Sequence, residues 1–133
     1  MVIIDTNIII DHLRQTSDQS KLVKLLEEND TETFGISVIS VQELYEGQST
    51  KNEEKELHLL STLSSFKILS YNIEVAQLAG KIARDSNVPV DFADASIAAT
   101  AIINEAQLAT LNTKHFEDLS DLQLFDFSGF KSS

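Results

Sequence analysis

The sequence predicts an α/β fold, in which a mostly parallel sheet of about five strands carries helices on both faces. Two observations indicate this class. Short apolar runs alternate along the chain with longer segments of helical periodicity, as expected when crossover helices join parallel strands. The first run, Val2-Ile3-Ile4, has no polar alternation, which suits a strand buried on both faces.

The individual elements follow from apolar spacing, capping residues and breakers. Strands are predicted where apolar residues concentrate between polar breakers, at 2–4, 33–37, 67–71, 107–111 and 122–125. Helices are predicted where apolar residues recur at helical spacing, at 7–14, 22–28, 38–47, 52–65, 72–87 and 91–105. Thr16-Ser17-Asp18 is a predicted cap cluster, and Gly47 a predicted helix stop. Leu57, Leu60 and Leu63 form the predicted apolar face of their helix.

The last two helices are separated by Val88-Pro89-Val90, because proline disfavours the helical conformation at the residue before it. The segment that follows, 91–105, is rich in alanine. Small residues around most of a helix allow close approach to its neighbours. We therefore expect this helix to pack tightly against the sheet.

Composition limits the classes of function. The 133 residues, 1–133, are expected to form one domain, and they include no cysteine, which excludes disulfides, thiolate metal sites and cysteine nucleophiles. No apolar run approaches the roughly 20 residues of a membrane span, and no basic leader precedes the first strand, so we expect a cytoplasmic protein without a membrane partner. The net charge of −11 argues against general nucleic-acid binding and favours a basic protein partner.

Carboxylates recur where strands end and helices begin. Asp5 follows the first strand, Glu43 lies in the helix after the second, and Asp94 lies at the start of the alanine-rich helix with Asp91 three residues before it. The carboxyl ends of strands in open α/β sheets are where ligands and catalytic groups collect. Convergent carboxylates without cysteine suit a hard cation such as Mg²⁺ or Mn²⁺. The pattern indicates a metal-dependent hydrolase or phosphoryl-transfer site.

A simpler interpretation stays open for each acid taken singly. Asp5, Asp91 and Asp94 are also common choices for helix caps, and Glu43 with Glu46 could form a solvated helix face. A phosphatase of the haloacid-dehalogenase type is disfavoured, because it should carry a second acid two residues after the first, where this chain has Asn7.

Four segments of the chain together resemble the PIN-domain ribonucleases, and among them the VapC toxins of bacterial and archaeal toxin–antitoxin pairs. The segments are Ile3-Ile4-Asp5-Thr6-Asn7, 37–47, 94–101 and 108–116. The resemblance runs from residue 2 to about 127, and its four motifs occur in order. It implies a three-layer α/β/α fold with a central parallel sheet and a metal-dependent endoribonuclease activity.

By motif matching, the resemblance places Asp5, Glu43 and Asp94 at the catalytic, metal-binding positions, Glu43 directly or through water. Thr6 or Asn7 would orient Asp5 or a water molecule. The family's fourth acid often lies where this chain reads Thr110-Leu111-Asn112. Asn112 removes one charge there and puts a tightly held second metal ion in doubt, with Asp91 as a candidate substitute.

The resemblance also implies partners. It implies an RNA substrate such as transfer or ribosomal RNA, a cognate antitoxin, and a homodimer. Phe125, Phe127 and Phe130 are expected to form an edge strand and tail docked on the core, with a dimer or antitoxin contact as the alternative. His12 and His58 are expected at the surface, and His115 is expected to serve packing or a helix turn.

Three functions compete. The leading one is a toxin ribonuclease. The second is a housekeeping PIN nuclease that has no antitoxin or acts on flap-like DNA. The third, which Asn112 keeps open, is a catalytically weakened PIN-fold module that binds a partner and cleaves nothing.

Overall fold

A computed structural model describes residues 1–15 and 20–128. Five strands lie within these ranges: β1 (Val2–Ile4), β2 (Phe34–Ser37), β3 (Lys67–Leu69), β4 (Gln107–Ala109) and β5 (Gln123–Leu124). The helices are α1 (Thr6–Arg14), α2 (Lys21–Glu28), α3 (Val38–Glu46), α4 (Glu53–Leu63), α5 (Ile73–Asp85) and α6 (Phe92–Ile103), with 3₁₀ turns at Gln48–Lys51 and Thr113–His115. The predicted cap cluster Thr16-Ser17-Asp18 and Phe130 lie outside the described residues.

All strands pair in parallel, in the order β3-β2-β1-β4-β5. The chain builds outward from β1 to β3 on one side, then crosses back and continues through β4 on the other. The order therefore reverses between β1 and β4, and a crevice opens at the carboxyl ends of strands at such a point. The predicted fold class is confirmed, and this crevice is where the fold positions a site.

Alternate side chains of β1 pack into two different hydrophobic clusters. Val2 and Ile4 belong to a cluster with α1, α2 and α4, whereas Ile3 belongs to a cluster with α6. Because successive side chains of a strand point to opposite faces, these clusters form the two sides of the sheet. The alanine-rich α6 contributes fully buried Ala98, Ala99 and Ala101, which confirms the expected close packing.

The apolar face of α4 differs from the prediction. Leu59 and Leu63 are buried, whereas Leu57 is 61% exposed and Leu60 46%. The prediction was right for Leu63 and wrong for Leu57 and Leu60, because leucines three apart (57, 60, 63) and four apart (59, 63) both satisfy helical spacing. At the end of the chain, Phe125 and Phe127 pack against the core beside the edge strand β5, as predicted. No helix in the described ranges is long and apolar enough to cross a bilayer.

Candidate active site

Asp5 lies at the carboxyl end of β1, at the point where the strand order reverses. It is the N-cap of α1, and its Oδ1 accepts a hydrogen bond of 2.8 Å from the backbone N–H of Thr6. Its Oδ2 accepts a second, of 2.7 Å, from the hydroxyl of Thr110. Only 5% of the residue is exposed. Asp5 is therefore both a helix cap and a candidate site residue. Its Oδ1 caps α1, and its Oδ2 contacts Thr110 in the crevice.

Thr110 joins the ends of β1 and β4. The residue is 2% exposed, and its hydroxyl donates to Asp5 and accepts from the backbone N–H of Asn112 at 3.0 Å. Asn7 closes the same junction, since its amide donates to the Thr110 hydroxyl at 3.3 Å and accepts from the backbone N–H of Leu111 at 3.2 Å. The structure therefore places Thr110 and Asn7 where they can orient Asp5.

Glu43 is held from α1. Its Oε1 lies 2.6 Å from the hydroxyl of Thr6, and that hydroxyl lies 2.8 Å from Oγ of the buried Ser40. A hydroxyl has one hydrogen to donate, so donation to the carboxylate of Glu43 leaves Ser40 as the donor to Thr6. Ser37, not Ser40, caps α3. Ser40 thus supports the candidate site through Thr6, a contact between positions 34 residues apart that no short motif indicates.

Asp91 and Asp94 begin α6. Asp91 is its N-cap, and its side chain accepts a hydrogen bond of 2.8 Å from the backbone N–H of Asp94. Asp94 lies in the first turn with its side chain 19% exposed. Asp91 is therefore a cap, while the carboxylate of Asp94 accepts no backbone hydrogen bond from the described residues.

His115 holds the carboxylate of Asp94. Its Nδ1 lies 3.0 Å from Asp94 Oδ2, and the imidazole is 54% exposed. The carboxylate can only accept when ionised, so Nδ1 carries the proton. His115 does lie in a 3₁₀ turn, as expected, but the sequence did not reveal its contact with Asp94. His12 is half-buried, its Nδ1 2.8 Å from Ser20 Oγ, so of this pair of histidines only His58 is at the surface as expected.

The site carboxylates repel one another. Burial raises the pKa of Asp5 above its ordinary value, against the lowering effects of its bonds to Thr110 and Thr6, and the charge of Asp94 raises it further. Burial, followed by the charge of Asp91, raises the pKa of Asp94, although its bond to His115 lowers it. These effects link both sides of the crevice in one electrostatic cluster.

Glu43 belongs to the same cluster. Burial raises its pKa, the hydrogen bond from Thr6 opposes that rise, and the charges of Asp5 and Asp91 add to it. The charges of Asp5, Glu43 and Asp94 therefore act on one another, and the charge of Asp91 acts on Glu43 and Asp94. In residues 1–15 and 20–128, however, no three such side chains are close enough together to form a ready metal-binding cluster.

The reason for that separation lies in the partners of the acids. Glu43 is drawn toward Thr6 and Asp94 toward His115, while Asp5 is fixed by Thr110 and Thr6. Asn112 joins this network through its backbone, donating to Thr110 and accepting from the N–H of His115. Its side chain is exposed.

The sequence matches the PIN domain family over residues 2–122. Because that match spans most of the chain, and the fold and the acid cluster agree with it, this protein belongs to the PIN-domain family. The resemblance drawn from four motifs is confirmed.

Its relatives within the family are VapC proteins. The chain is 35% identical to Ribonuclease VapC19 of Mycobacterium tuberculosis over 127 residues, which cover 92% of this chain and 98% of that relative. It is 32% identical to Ribonuclease VapC1 of Methanocaldococcus jannaschii over 130 residues, covering 94% and 87%. Among solved structures it is similar to VapBC2 from Rickettsia felis bound to a promoter DNA fragment, with a TM-score of 0.79, 27% identity and coverage of 94% and 98%.

Proposed function

We propose that this protein is a Mg²⁺-dependent endoribonuclease and the toxin of a VapBC-type pair. The observation that carries the proposal is the convergence of Asp5, Glu43 and Asp94 at the reversal point of the sheet in a PIN-domain chain. The VapC relatives are named ribonucleases, and the VapBC structure supports an antitoxin as partner.

The donor set fits a hard divalent cation. The cluster consists of carboxylates, and their burial and mutual repulsion raise the pKa of each of the three proposed ligands. A cation removes that repulsion, and Mg²⁺ or Mn²⁺ prefers oxygen donors. Asp5 and Asp94 would hold the ion, with Glu43 directly or through water. When bound, the ion supplies positive charge that polarises a phosphodiester and makes a water molecule easier to deprotonate.

The remaining side chains orient the acids. Thr110 and Asn7 fix Asp5 from β4 and α1, and Thr6 aligns Glu43 from α1. His115 holds one oxygen of Asp94, and the other accepts no hydrogen bond from the part of the chain that the structure describes. Each orienting group is a hydrogen-bond donor, so the acids are held as acceptors with lone pairs remaining for a cation.

The finer assignments follow the same reasoning. A structured RNA such as transfer or ribosomal RNA is the proposed substrate, and the proposed partner is a basic antitoxin, which suits a net charge of −11. A homodimer and a cytoplasmic location belong to the same proposal.

The test is cleavage by Asp94→Asn beside wild-type protein. The amide oxygen that this substitution introduces can still accept from His115, so we expect the variant to fold and to lose Mg²⁺-dependent RNA cleavage and growth toxicity. Asp5→Asn should lose the same activities. Exposed Asp118→Asn provides the matched control for the loss of one carboxylate.

A second function, partner binding without cleavage, is favoured by one observation, the neutral Asn112 at the fourth acid position. Mg²⁺-dependent cleavage that survives in both Asp5→Asn and Asp94→Asn would contradict the assignment of Asp5 and Asp94 as the metal-binding acids of the nuclease. Absence of cleavage by wild-type protein on total cellular RNA, together with binding of an antitoxin encoded beside it, would favour the binding module.

A further inference from the structure

A cavity of about 550 Å³ adjoins the acid cluster. Its walls come from α1, α3, the 3₁₀ turn at Gln48–Lys51 and α4. Glu43 lines the cavity and also belongs to the acid cluster, so the cavity leads directly away from the candidate catalytic groups. Its volume falls within the roughly 300–1,000 Å³ of ordinary ligand sites.

The charge of this cavity is opposite to that of the protein. Acidic residues outnumber lysine and arginine by 21 to 10 in the chain. The described residues that line the cavity nevertheless include Arg14, Lys55 and His58, with Glu43 as the one acid among them. Arg14 and Lys55 form no salt bridge within the described ranges. Two exposed cations that make no salt bridge within the described residues therefore face a concave surface beside the acids.

This arrangement selects a polyanion as the occupant. Phosphates would supply salt-bridge partners for Arg14 and Lys55. The exposed imidazole of His58 and the apolar side chains of Ile10 and Leu13 offer surfaces on which an unpaired base can stack or pack.

We infer that this cavity binds the single-stranded RNA backbone next to the bond that is cleaved, with Arg14 and Lys55 contacting phosphates. The inference rests on the proposed ribonuclease function and adds a substrate subsite to it. It also explains how an acidic nuclease can hold RNA. The path of the strand is lined by cations, although the surface as a whole is negative.

Binding is measured by fluorescence anisotropy with a labelled, fully 2′-O-methylated RNA of mixed sequence, a modification that protects the probe from ribonucleases. Titrations at constant Mg²⁺ cover a series of KCl concentrations. Wild-type protein is compared with Arg14→Gln/Lys55→Gln. The control, Lys67→Gln/Lys81→Gln, removes the same charge from exposed positions outside the cavity.

We expect the cavity variant to bind several-fold more weakly than the control. Its plot of log affinity against log salt should be flatter by about 1.4, since each phosphate contact to a single strand contributes about 0.7. Arg14→Lys/Lys55→Arg should keep the wild-type slope, because the charges remain. Equal slopes for the cavity and control variants would overturn the inference, as would the absence of measurable binding by wild-type protein.

The nuclease proposal is judged separately. Asp94→Asn should fail to cleave unmodified RNA, whereas the cavity inference is judged only from the salt slopes of the cavity and control variants. If wild-type protein cleaves nothing but the slope difference persists, the nuclease proposal fails while the RNA-binding cavity stands. If cleavage depends on Asp94 and the slopes are equal, the cavity inference alone fails.

Discussion

The two halves of the acid cluster are held in different ways. On the sheet side, Asp5 is 5% exposed, and its two oxygens accept from a backbone N–H and from a buried hydroxyl. On the side of α6, the side chain of Asp94 is 19% exposed, and its partner His115 is 54% exposed. One acid is fixed by groups that follow β4 and begin α1, the other by a single exposed ring.

The difference matters because burial sets the value of a hydrogen bond. A buried acceptor that loses its donor cannot turn to water and bears the full desolvation cost, whereas an exposed pair exchanges its partner for solvent. Substitutions around Asp5 should therefore lower both the free energy of unfolding and the rate of RNA cleavage. Substitutions around Asp94 on the α6 side should change activity with little effect on the free energy of unfolding.

The largest expected effect follows from breaking the sheet side. Thr110→Val keeps the shape of the side chain but leaves Oδ2 of Asp5 without a donor, so the free energy of unfolding should fall by about 1–3 kcal/mol. RNA cleavage should fall with it, because Asp5 loses its orientation. Urea denaturation and a cleavage assay measure the two effects.

The control for this substitution is Thr113→Val, an exposed threonine three residues later whose side chain makes no hydrogen bond within the described structure. Its unfolding free energy should stay within about 0.5 kcal/mol of wild type. Equal losses for the two variants would contradict the role given to the Thr110 hydroxyl.

A smaller effect is expected in the pH dependence of protein stability when one of the acids is replaced. Burial, and then the charge of Asp91, raises the pKa of Asp94 above the ordinary 3.8. The native state therefore binds a proton at Asp94 more tightly than the unfolded chain does. The stability contributed by that group is complete below pH 3.8 and is lost as the pH rises through the raised native value. In EDTA, Asp94→Asn should therefore gain stability over wild type progressively as the pH rises above about 4.

Asp5→Asn should show the same rise with pH, because burial raises the pKa of Asp5 as well, but it should start from a lower stability. Its amide has one acceptor oxygen where the carboxylate uses two, so either Thr6 N–H or the Thr110 hydroxyl loses its acceptor. At neutral pH we expect it to be about 1 kcal/mol less stable than Asp94→Asn. Identical pH profiles of urea stability for the two variants would mean that the halves of the cluster do not differ.

The smallest effect on stability is expected at His115. His115→Ala and His115→Asn should both unfold within about 0.5 kcal/mol of wild type, since the ring is exposed. Loss of an orienting partner of this kind typically lowers metal affinity or activity by about tenfold or more. We expect that loss in the alanine variant, measured by Mn²⁺ titration and by cleavage, and recovery with asparagine, whose amide donates from a similar position. Equal Mn²⁺ affinity in the two variants would contradict the positioning role.

Much of the fold and part of the site could be predicted from the sequence. Apolar runs without alternation identified β1 as a central strand, and strand–helix alternation gave the parallel sheet. The acids Asp5, Glu43 and Asp94 could be named in advance because each follows a strand or starts a helix, and because four motifs in order resemble one family. On α4 the prediction was right for Leu63 and wrong for Leu57 and Leu60, since leucines on both faces satisfy helical spacing.

The remaining site residues could not be found in this way. Ser40 lies 34 positions from Thr6 and His115 lies 21 from Asp94, and no local pattern reports contacts at such separations. The cavity lined by Arg14, Lys55 and His58 likewise exists only where α1 and α4 pack beside α3.

The sequence by itself determined the fold class, the family and the acids at the strand ends, because these depend on periodicity and on motifs within short segments. The tertiary structure decided which hydroxyls and which imidazole hold those acids, which acid is buried, and where the cations gather. Those features depend on the strand order β3-β2-β1-β4-β5. That order brings Thr110, just after β4, beside Asp5 at the end of β1, and burial there makes their hydrogen bond costly to break.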